Sequence, residues 1–234
     1  MPQIVMFDMD GTLLDLAFDD LIWFHQLPLR HAETHAISIE HSRDILTQFY
    51  QSHKHTLDWY SSTFWTAKVG VDVLKLQHDH QERIQPRPGC VALLEQLKQL
   101  GYRCWLVTNA DVASLSLKMQ KVALSDYFEV MVSSEQLGHA KEDQGFWHSL
   151  QQRHPFDPAQ VIFVDDTQPV LASAEEFGIQ QLITVLQPSS LHPVRDAQAL
   201  DYPALDHLSE LVDLIQAPRP HAAEVAKLNE DSHV

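Results

Sequence analysis

An apolar run ends in two acids within Val5-Met6-Phe7-Asp8-Met9-Asp10-Gly11-Thr12-Leu13-Leu14. The apolar part is typical of a buried β-strand, and alternation along a strand places Asp8 and Asp10 on one face. Gly11 allows the chain to turn away just beyond the strand. In open α/β sheets, ligands bind at the carboxyl ends of the strands. The segment therefore predicts a strand that ends in an acidic binding site.

A cation is expected beside these two acids. No Lys or Arg occurs between Pro2 and Arg30, so no basic side chain nearby in the sequence offsets the repulsion between Asp8 and Asp10. Carboxylate oxygens are hard ligands that suit Mg²⁺. The alternative is an acidic turn that only caps the chain after the strand. The motifs downstream favour the binding site.

Further apolar runs are also followed by polar side chains. The polar residues are, in chain order, Thr108 and Asn109, then Lys141, then Asp165 and Asp166. The hydroxyl and amide of the first pair can hold phosphate oxygens, and the lysine, which follows a short loop, supplies a compact cation. The last pair repeats the arrangement of acids after a strand. These side chains are expected to meet at one edge of the sheet.

The order Asp-x-Asp-Gly-Thr, Thr-Asn, Lys and Asp-Asp resembles the four motifs of the haloacid-dehalogenase-like hydrolase superfamily. The resemblance extends from Ile4 to about Val185. It implies a Rossmann-like α/β fold and a Mg²⁺-dependent site that acts on a small phosphorylated substrate. Four motifs in this order are a specific signal, whereas any one of them alone would be weak.

The residue types and the resemblance together suggest a mechanism. Asp8 attacks phosphorus and forms an aspartyl-phosphate, and Asp10 donates a proton to the leaving group and later accepts one from water. Lys141 neutralises charge, while Thr108 and Asn109 position the phosphoryl group. The metal ligands are expected to be the carboxylates of Asp8 and Asp165 and the backbone carbonyl of Asp10. Supporting roles fall to Asp166, which orients Lys141 or binds the metal through water, and to Thr12, which braces the loop.

Other activities of the same core are weighed against this one. Dehalogenases usually lack an acid two residues after the nucleophile, so Asp10 favours phosphoryl transfer. A Schiff-base phosphonatase would need a suitably placed lysine in the cap, the helical segment described below. Lys54 and Lys68 lie in that segment, but no other feature supports this activity. A sugar-phosphate phosphatase, a phosphomutase and a non-catalytic module with this fold remain alternatives.

The periodicity of the remaining chain predicts the domain organisation. Residues 15–84 have helical periodicity and predict a helical insertion after the first strand. This insertion resembles the cap that one branch of the superfamily has at this position, and the alternative is a helical subdomain with only a packing role. Residues 1–14 and 85–217 predict the core domain, a parallel sheet with helices on both faces, because strands and helices alternate from Cys90 onwards. The segment 218–234 has few large apolar residues and is expected to be a disordered tail.

Three stretches also resemble the GMP/IMP nucleotidases of bacteria, which are purine-nucleotide phosphatases. They are 10–18, 55–60, and 141–144 with Trp147-His148. The resemblance implies that 5′-nucleoside monophosphates are the substrates, with GMP and IMP preferred. Trp59 and Tyr60 are the candidate cap residues that contact the purine.

Charge and composition exclude several classes of partner. The formal net charge of the 234-residue chain is −16, which argues against binding to a nucleic-acid polymer. No apolar run is long enough to span a membrane. The two cysteines, Cys90 and Cys104, have no metal-binding or paired spacing. With a strand predicted directly at the start and no signal peptide, a cytoplasmic enzyme is expected.

Overall fold

Six parallel strands form the central sheet of the protein, seen in a computed structural model that describes residues 3–216. The strands are β1 (Ile4–Phe7), β2 (Arg103–Thr108), β3 (Val130–Ser133), β4 (Val161–Val164), β5 (Gln181–Val185) and β6 (Ala204–Leu205). Their order across the sheet is β3-β2-β1-β4-β5-β6, and each neighbouring pair is parallel. The strand order therefore reverses at β1, which is where ligands bind in such sheets.

Helices account for most of the remaining elements. The α-helices are α1 (Ala17–Asp20), α2 (Leu27–His35), α3 (Ile39–His53), α4 (Ser62–Val69), α5 (Val73–Asp79), α6 (Cys90–Gln99), α7 (Val112–Val122), α8 (Ser134–Leu137), α9 (Gln144–Arg153), α10 (Gln168–Phe177) and α11 (Glu210–Gln216). A π-helix spans Leu21–Gln26, and single 3₁₀ turns include Leu57–Tyr60 and Gln81–Arg83. Within residues 3–216, no helix combines the length and the apolar character needed to cross a membrane.

The two faces of the sheet are buried in two separate apolar cores. On β1, Val5 and Phe7 belong to one core, which they share with residues of α6, α7 and α11. Ile4 and Met6 point the other way and pack with residues of α9 and α10. Each residue of β1 is buried, as expected for a central parallel strand. The prediction of a parallel α/β sheet with helices on both faces is confirmed.

The helical segment between β1 and α6 leaves and rejoins the core at adjacent points. The backbone N–H of Asp15 donates to the carbonyl of Gln85 (2.9 Å), and that of Arg87 donates to Leu13 (2.8 Å). The two connections therefore run side by side, close to the predicted boundaries of the cap. The division into a core (1–14 and 85–217) and a cap (15–84) stays a prediction, and the expected disordered tail at 218–234 lies outside the described residues.

Two features of the core differ from the sequence prediction. The short strand β6 was not predicted, because two residues are too few to show a periodic pattern. The sequence after Lys141 predicts a helix from Glu142 to about His154, but helix α9 begins at Gln144, because the Asp143 carboxylate accepts from the backbone N–H of Gly145 and caps the helix. The shift leaves Glu142 in the loop that carries Lys141.

Gly11 gives the most specific stability prediction of the fold. Its φ is +84°, and a Cβ at this position would lie 2.7 Å from Asp166 Cγ. Gly101 has a similar φ of +82° but no atom within 4 Å of such a Cβ. Gly101→Ala should cost only the left-handed strain, about 1 kcal/mol, whereas Gly11→Ala should cost about 3 kcal/mol.

Urea unfolding of both variants measures this difference. Equal loss of stability in the two variants would contradict the close approach of Gly11 to Asp166.

Candidate active site

The predicted acids of β1 and β4 meet at the carboxyl edge of the sheet. Phe7 is in register with Val164, and the backbone N–H of Asp8 donates to the carbonyl of Val164 (2.9 Å). The residues that follow the two strands therefore lie side by side. One carboxylate oxygen each of Asp8, Asp165 and Asp166 lies within 4.8 Å of the others, and all three residues are buried.

Lys141 reaches into this acid cluster from the loop before α9. Its ammonium donates to Asp8, to Asp165 Oδ2 (2.7 Å) and to the carbonyl of Val107 (3.2 Å). The Lys141 side chain is only 2% exposed. Its backbone is also fixed, because the carbonyl accepts from Trp147 Nε1 (3.0 Å). The predicted lysine is thus a buried counter-charge to two of the acids.

Thr108 and Asn109 lie at the end of β2, beside the lysine. Asn109 Oδ1 accepts from the backbone N–H of Lys141 (2.9 Å), and Asn109 Nδ2 donates to Glu142 Oε2 (3.0 Å). The Thr108 hydroxyl accepts from the backbone N–H of Ala110 (3.0 Å). Both residues line the same cavity as Asp8 and Lys141. The structure therefore brings these predicted phosphate-binding residues to the acid cluster.

Asp166 and Thr12 have surroundings that differ from those expected. Lys141 is oriented by Asp8 and Asp165, whereas Asp166 pairs with Arg195, whose Nη2 lies 3.5 Å from Asp166 Oδ2. Within residues 3–216, the buried Thr12 hydroxyl has no hydrogen-bond partner. The loop is held by main-chain atoms, since the backbone N–H of Gly11 donates to Leu14 (2.8 Å). This hydrogen bond of the loop is a main-chain one, and the supporting role of Thr12 stays a prediction.

A second buried lysine, Lys118, lies beside Asp10. Its ammonium is 2.7 Å from Asp10 Oδ1 and 2.8 Å from Asp19 Oδ1. Although burial acts to lower it, the pKa of Lys118 is raised by these two carboxylates. Sequence reasoning missed Lys118. A signal was present, because Lys118 lies three residues after the buried Leu115 and so shares the inward face of α7.

Burial strongly perturbs the three clustered acids. Desolvation raises the pKa of Asp8 to about 7, with Asp165 and Asp10 adding to the rise and Lys141 opposing it. Desolvation likewise raises the pKa of Asp166 to about 7 and that of Asp165 to about 6. Lys141 and Arg195 together therefore carry less positive charge than the three carboxylates carry negative charge. A shared set of oxygen atoms with excess negative charge fits a hard divalent cation.

A cavity of about 330 Å³ connects these acids to the helical segment that follows β1. Six of the residues that line it are aromatic and form what we call the aromatic wall: Trp23, Phe24, Tyr50, Trp59, Tyr60 and Trp65. The predicted cap residues Trp59 and Tyr60 thus line the same cavity as Asp8 and Lys141, and their contact with a substrate stays a prediction. Trp65 is only 1% exposed and packs edge-on against Tyr50, so it belongs mainly to the core.

Glu142 connects this wall to the phosphate side of the cavity. One of its oxygens accepts from the Tyr60 hydroxyl and lies 3.2 Å from His55 Nδ1, while the other accepts from Asn109. Burial acts to raise the pKa of Glu142, but these hydrogen bonds hold it below its usual range. Sequence reasoning gave Glu142 no role, because its partners are far away along the chain.

Known proteins resemble the chain in sequence and in fold. A family model described as haloacid dehalogenase-like hydrolase matches residues 2–178. GMP/IMP nucleotidase YrfG of Escherichia coli (strain K12) is 30% identical over 208 residues, which cover 89% of this chain and 93% of that protein. N-acetylmuramic acid 6-phosphate phosphatase of Pseudomonas aeruginosa is 23% identical over 228 residues, covering 91% and 94%. The crystal structure of a HAD phosphatase from Thermococcus onnurineus superimposes with a TM-score of 0.77 at 21% identity, covering 93% of this chain and 100% of that one.

The acid cluster predicts a pH-dependent stability of the metal-free protein. The pKa of Asp166 is about 7 in the fold against an ordinary value of 3.8, so the folded protein binds this proton more tightly than the unfolded chain. The stabilisation is complete below the ordinary value and is lost as the pH rises through about 7. In EDTA, the free energy of unfolding by urea should therefore fall between about pH 4 and about pH 7 and level off above that pH.

Asp166→Asn removes one of these groups, so its fall should be shallower than that of the wild type. Asp126→Asn, at an exposed position, should follow the wild type. Parallel curves for the wild type and Asp166→Asn would show that the Asp166 carboxyl is not destabilised by burial.

Proposed function

The chain belongs to the haloacid dehalogenase-like hydrolase family, and from this premise we propose that it is a Mg²⁺-dependent phosphatase of 5′-nucleoside monophosphates. The observation that carries the proposal is the buried cluster of Asp8, Asp165 and Asp166 around Lys141, beside a cavity that Asp8, Asp166, Lys141 and the aromatic wall line. The acidic residues suit a metal and a phosphate, and the aromatic residues suit a planar leaving group.

The acid cluster fits Mg²⁺ because its oxygens are close together and carry more negative charge than Lys141 compensates. Asp8 and Asp165, with the backbone carbonyl of Asp10, would hold the ion, and Asp166 would support it. When bound, Mg²⁺ supplies positive charge that offsets the charge of the phosphate dianion.

The side chains of the site divide the chemistry between them. The Asp8 carboxylate attacks phosphorus in line, so that a bond from phosphorus to the leaving oxygen breaks as the aspartyl-phosphate forms. Asp10 gives a proton to the leaving alkoxide and then accepts one from the water that hydrolyses the intermediate. Lys141 offsets charge on the phosphoryl oxygens, and Thr108 and Asn109 position them.

The aromatic wall supports a nucleotide over a smaller substrate. Trp59 and Tyr60 line the cavity together with Trp23 and Tyr50, so a base could stack there. The similarity to GMP/IMP nucleotidase YrfG, which extends over 89% of the chain, also supports a nucleotide. Lys54 lines the cavity but is exposed, and Lys68 lies over the ring of Phe49, so neither favours a Schiff-base mechanism.

Sugar phosphates are the second candidate substrates. They are favoured by the similarity to N-acetylmuramic acid 6-phosphate phosphatase, which extends over 91% of the chain. The core residues named above would perform the same reaction on them, because these residues address only the phosphoryl group. The two candidates therefore differ in the contacts made by the residues between β1 and α6.

Removal of the nucleophile tests the reaction class. Asp8→Asn keeps the size of the side chain but removes the attacking carboxylate, so phosphate release should fall by about 10³-fold or more. EDTA should also stop the reaction, and Ca²⁺ should restore it poorly because its coordination is looser than that of Mg²⁺.

Asp126→Asn, which changes an exposed carboxylate, should leave turnover at the wild-type level. Near-normal turnover by a folded Asp8→Asn protein would contradict the covalent mechanism.

A substrate panel tests the nucleotide preference. The purines of GMP and IMP share a 6-oxo acceptor, which adenine replaces with an amino donor. A site that donates to this oxygen leaves its donor unpaired against AMP, which costs about 1–3 kcal/mol, or roughly ten- to a hundredfold in kcat/KM.

The measurement is kcat/KM for GMP, IMP, AMP, UMP and a hexose phosphate. GMP and IMP should be the best substrates. A hexose phosphate that exceeds every nucleotide would support the sugar-phosphate alternative, and equal values for AMP and IMP would exclude the proposed recognition of the 6-oxo group.

A further inference from the structure

Lys118 is a buried cation that the mechanism above does not use. It lies in the middle of α7, and its side chain is 2% exposed. Its ammonium lies 2.7 Å from Asp10 Oδ1 and 2.8 and 2.9 Å from the two oxygens of Asp19. The ring of Phe18 covers it at 5.3 Å. The lysine is thus enclosed by two carboxylates and an aromatic ring.

Stability alone is a weak reason for a lysine at this position. Taking an ammonium and its partners out of water costs several kcal/mol, and an apolar side chain of similar size is often at least as stable there. The neighbours Leu117 and Met119 are themselves buried and apolar. A charged residue at this place is better explained by what it orients than by the energy of its burial.

The two partners of Lys118 come from different parts of the chain. Asp10 lies in the loop after β1, two residues beyond Asp8, and Asp19 lies in α1, where the chain has just left the sheet. One ammonium group therefore joins a core helix, the catalytic loop and the first helix after that loop. Asp19 supplies two oxygens, which leaves the lysine anchored on one side while its other contact is to Asp10.

Asp10 depends on this contact for its orientation. Its Oδ1 atom is buried, and within residues 3–216 it accepts no hydrogen bond of suitable angle, so its close contact with Lys118 is an ion pair. The ion pair with Lys118 is the salt bridge that this carboxylate makes in the described part of the chain. Within residues 3–216, no hydrogen-bond donor other than this ammonium is available to hold Oδ1 in its direction.

We propose that Lys118 is a positioning residue that holds the Asp10 carboxylate in place for proton transfer, with Asp19 as its anchor. The inference rests on the proposed function, in which Asp10 protonates the leaving group. Proton transfer needs the two heavy atoms within about 2.6–3.2 Å, and a displacement of about 1 Å can cost about 100-fold in rate. Lys118 acts through Asp10 and does not itself contact the phosphoryl group.

The leaving group distinguishes this role from a purely structural one. An alkyl ester such as GMP needs a proton on its leaving oxygen, whereas the phenolate of p-nitrophenyl phosphate leaves with little help. Loss of Asp10 positioning should therefore harm GMP hydrolysis more than aryl ester hydrolysis. General damage to the site would harm both esters to the same extent.

The test compares kcat on both esters for Lys118→Met, Asp10→Asn and the double variant. Methionine keeps the length of the side chain and removes its charge. Lys118→Met should lose about 100-fold on GMP but less than about tenfold on p-nitrophenyl phosphate, the same selectivity as Asp10→Asn. Lys121→Met, on the exposed side of the same helix, should match the wild type on both esters.

The double variant shows whether the two residues act as one unit. If Lys118 works through Asp10, adding Lys118→Met to Asp10→Asn should cause little further loss on GMP. Losses that multiply, or an equal loss on both esters in Lys118→Met, would overturn the inference.

If Lys118→Met does not fold, Lys118→Arg replaces it, because the charge is kept while the longer planar group displaces Asp10. A smaller loss that is still selective for GMP supports the inference, and an unselective one overturns it.

Failure of the proposed function gives a different result. A wild-type protein that releases no phosphate, or an Asp10→Asn variant with equal losses on both esters, would overturn both the proposed proton transfer and this inference. A selective loss in Asp10→Asn together with an unselective loss in folded Lys118→Met would overturn the inference alone.

Discussion

Repulsion between buried carboxylates is the constraint around which the site is arranged. Parallel pairing of β1 with β4 brings Asp8 next to Asp165 and Asp166, and no local basic residue accompanies them. Burial strengthens the repulsion between the carboxylates, because each of them loses water that would otherwise screen its charge. The positive charge must therefore come from distant parts of the chain. Lys141 supplies it on one side and Lys118 on the other.

The two lysines divide the acids into two groups with different tasks. Lys141 contacts Asp8 and Asp165, the pair expected to bind metal and attack phosphorus. Lys118 contacts Asp10 and Asp19, and Asp10 is the acid proposed to protonate the leaving group. This separation gives each of the two acids after β1 its own cation, although they are only two residues apart. Two carboxylates with separate environments can then perform different roles in one reaction.

Sequence reasoning found the residues that follow apolar runs and missed those defined by distant contacts. Asp8, Asn109, Lys141 and Asp165 each follow a strand or its adjoining loop, so hydrophobic periodicity places them at one edge of the sheet. The pairs of Lys118 with Asp19 and of Glu142 with Tyr60 join residues 99 and 82 positions apart, and no local pattern indicates such a pairing.

Glu142 makes the phosphate side of the cavity dependent on its aromatic wall. The same carboxylate accepts from Tyr60 and from Asn109, and Asn109 in turn accepts from the backbone of Lys141. A shift of the 3₁₀ turn that carries Tyr60 would therefore change the acceptor available to Asn109. Under the proposed function, the core motifs address only the phosphoryl group, so discrimination between leaving groups would arise at the aromatic wall. Because Glu142 joins the two, contacts made there by the leaving group can act on the geometry of the reacting end, which is how binding energy away from the reacting atoms contributes to turnover.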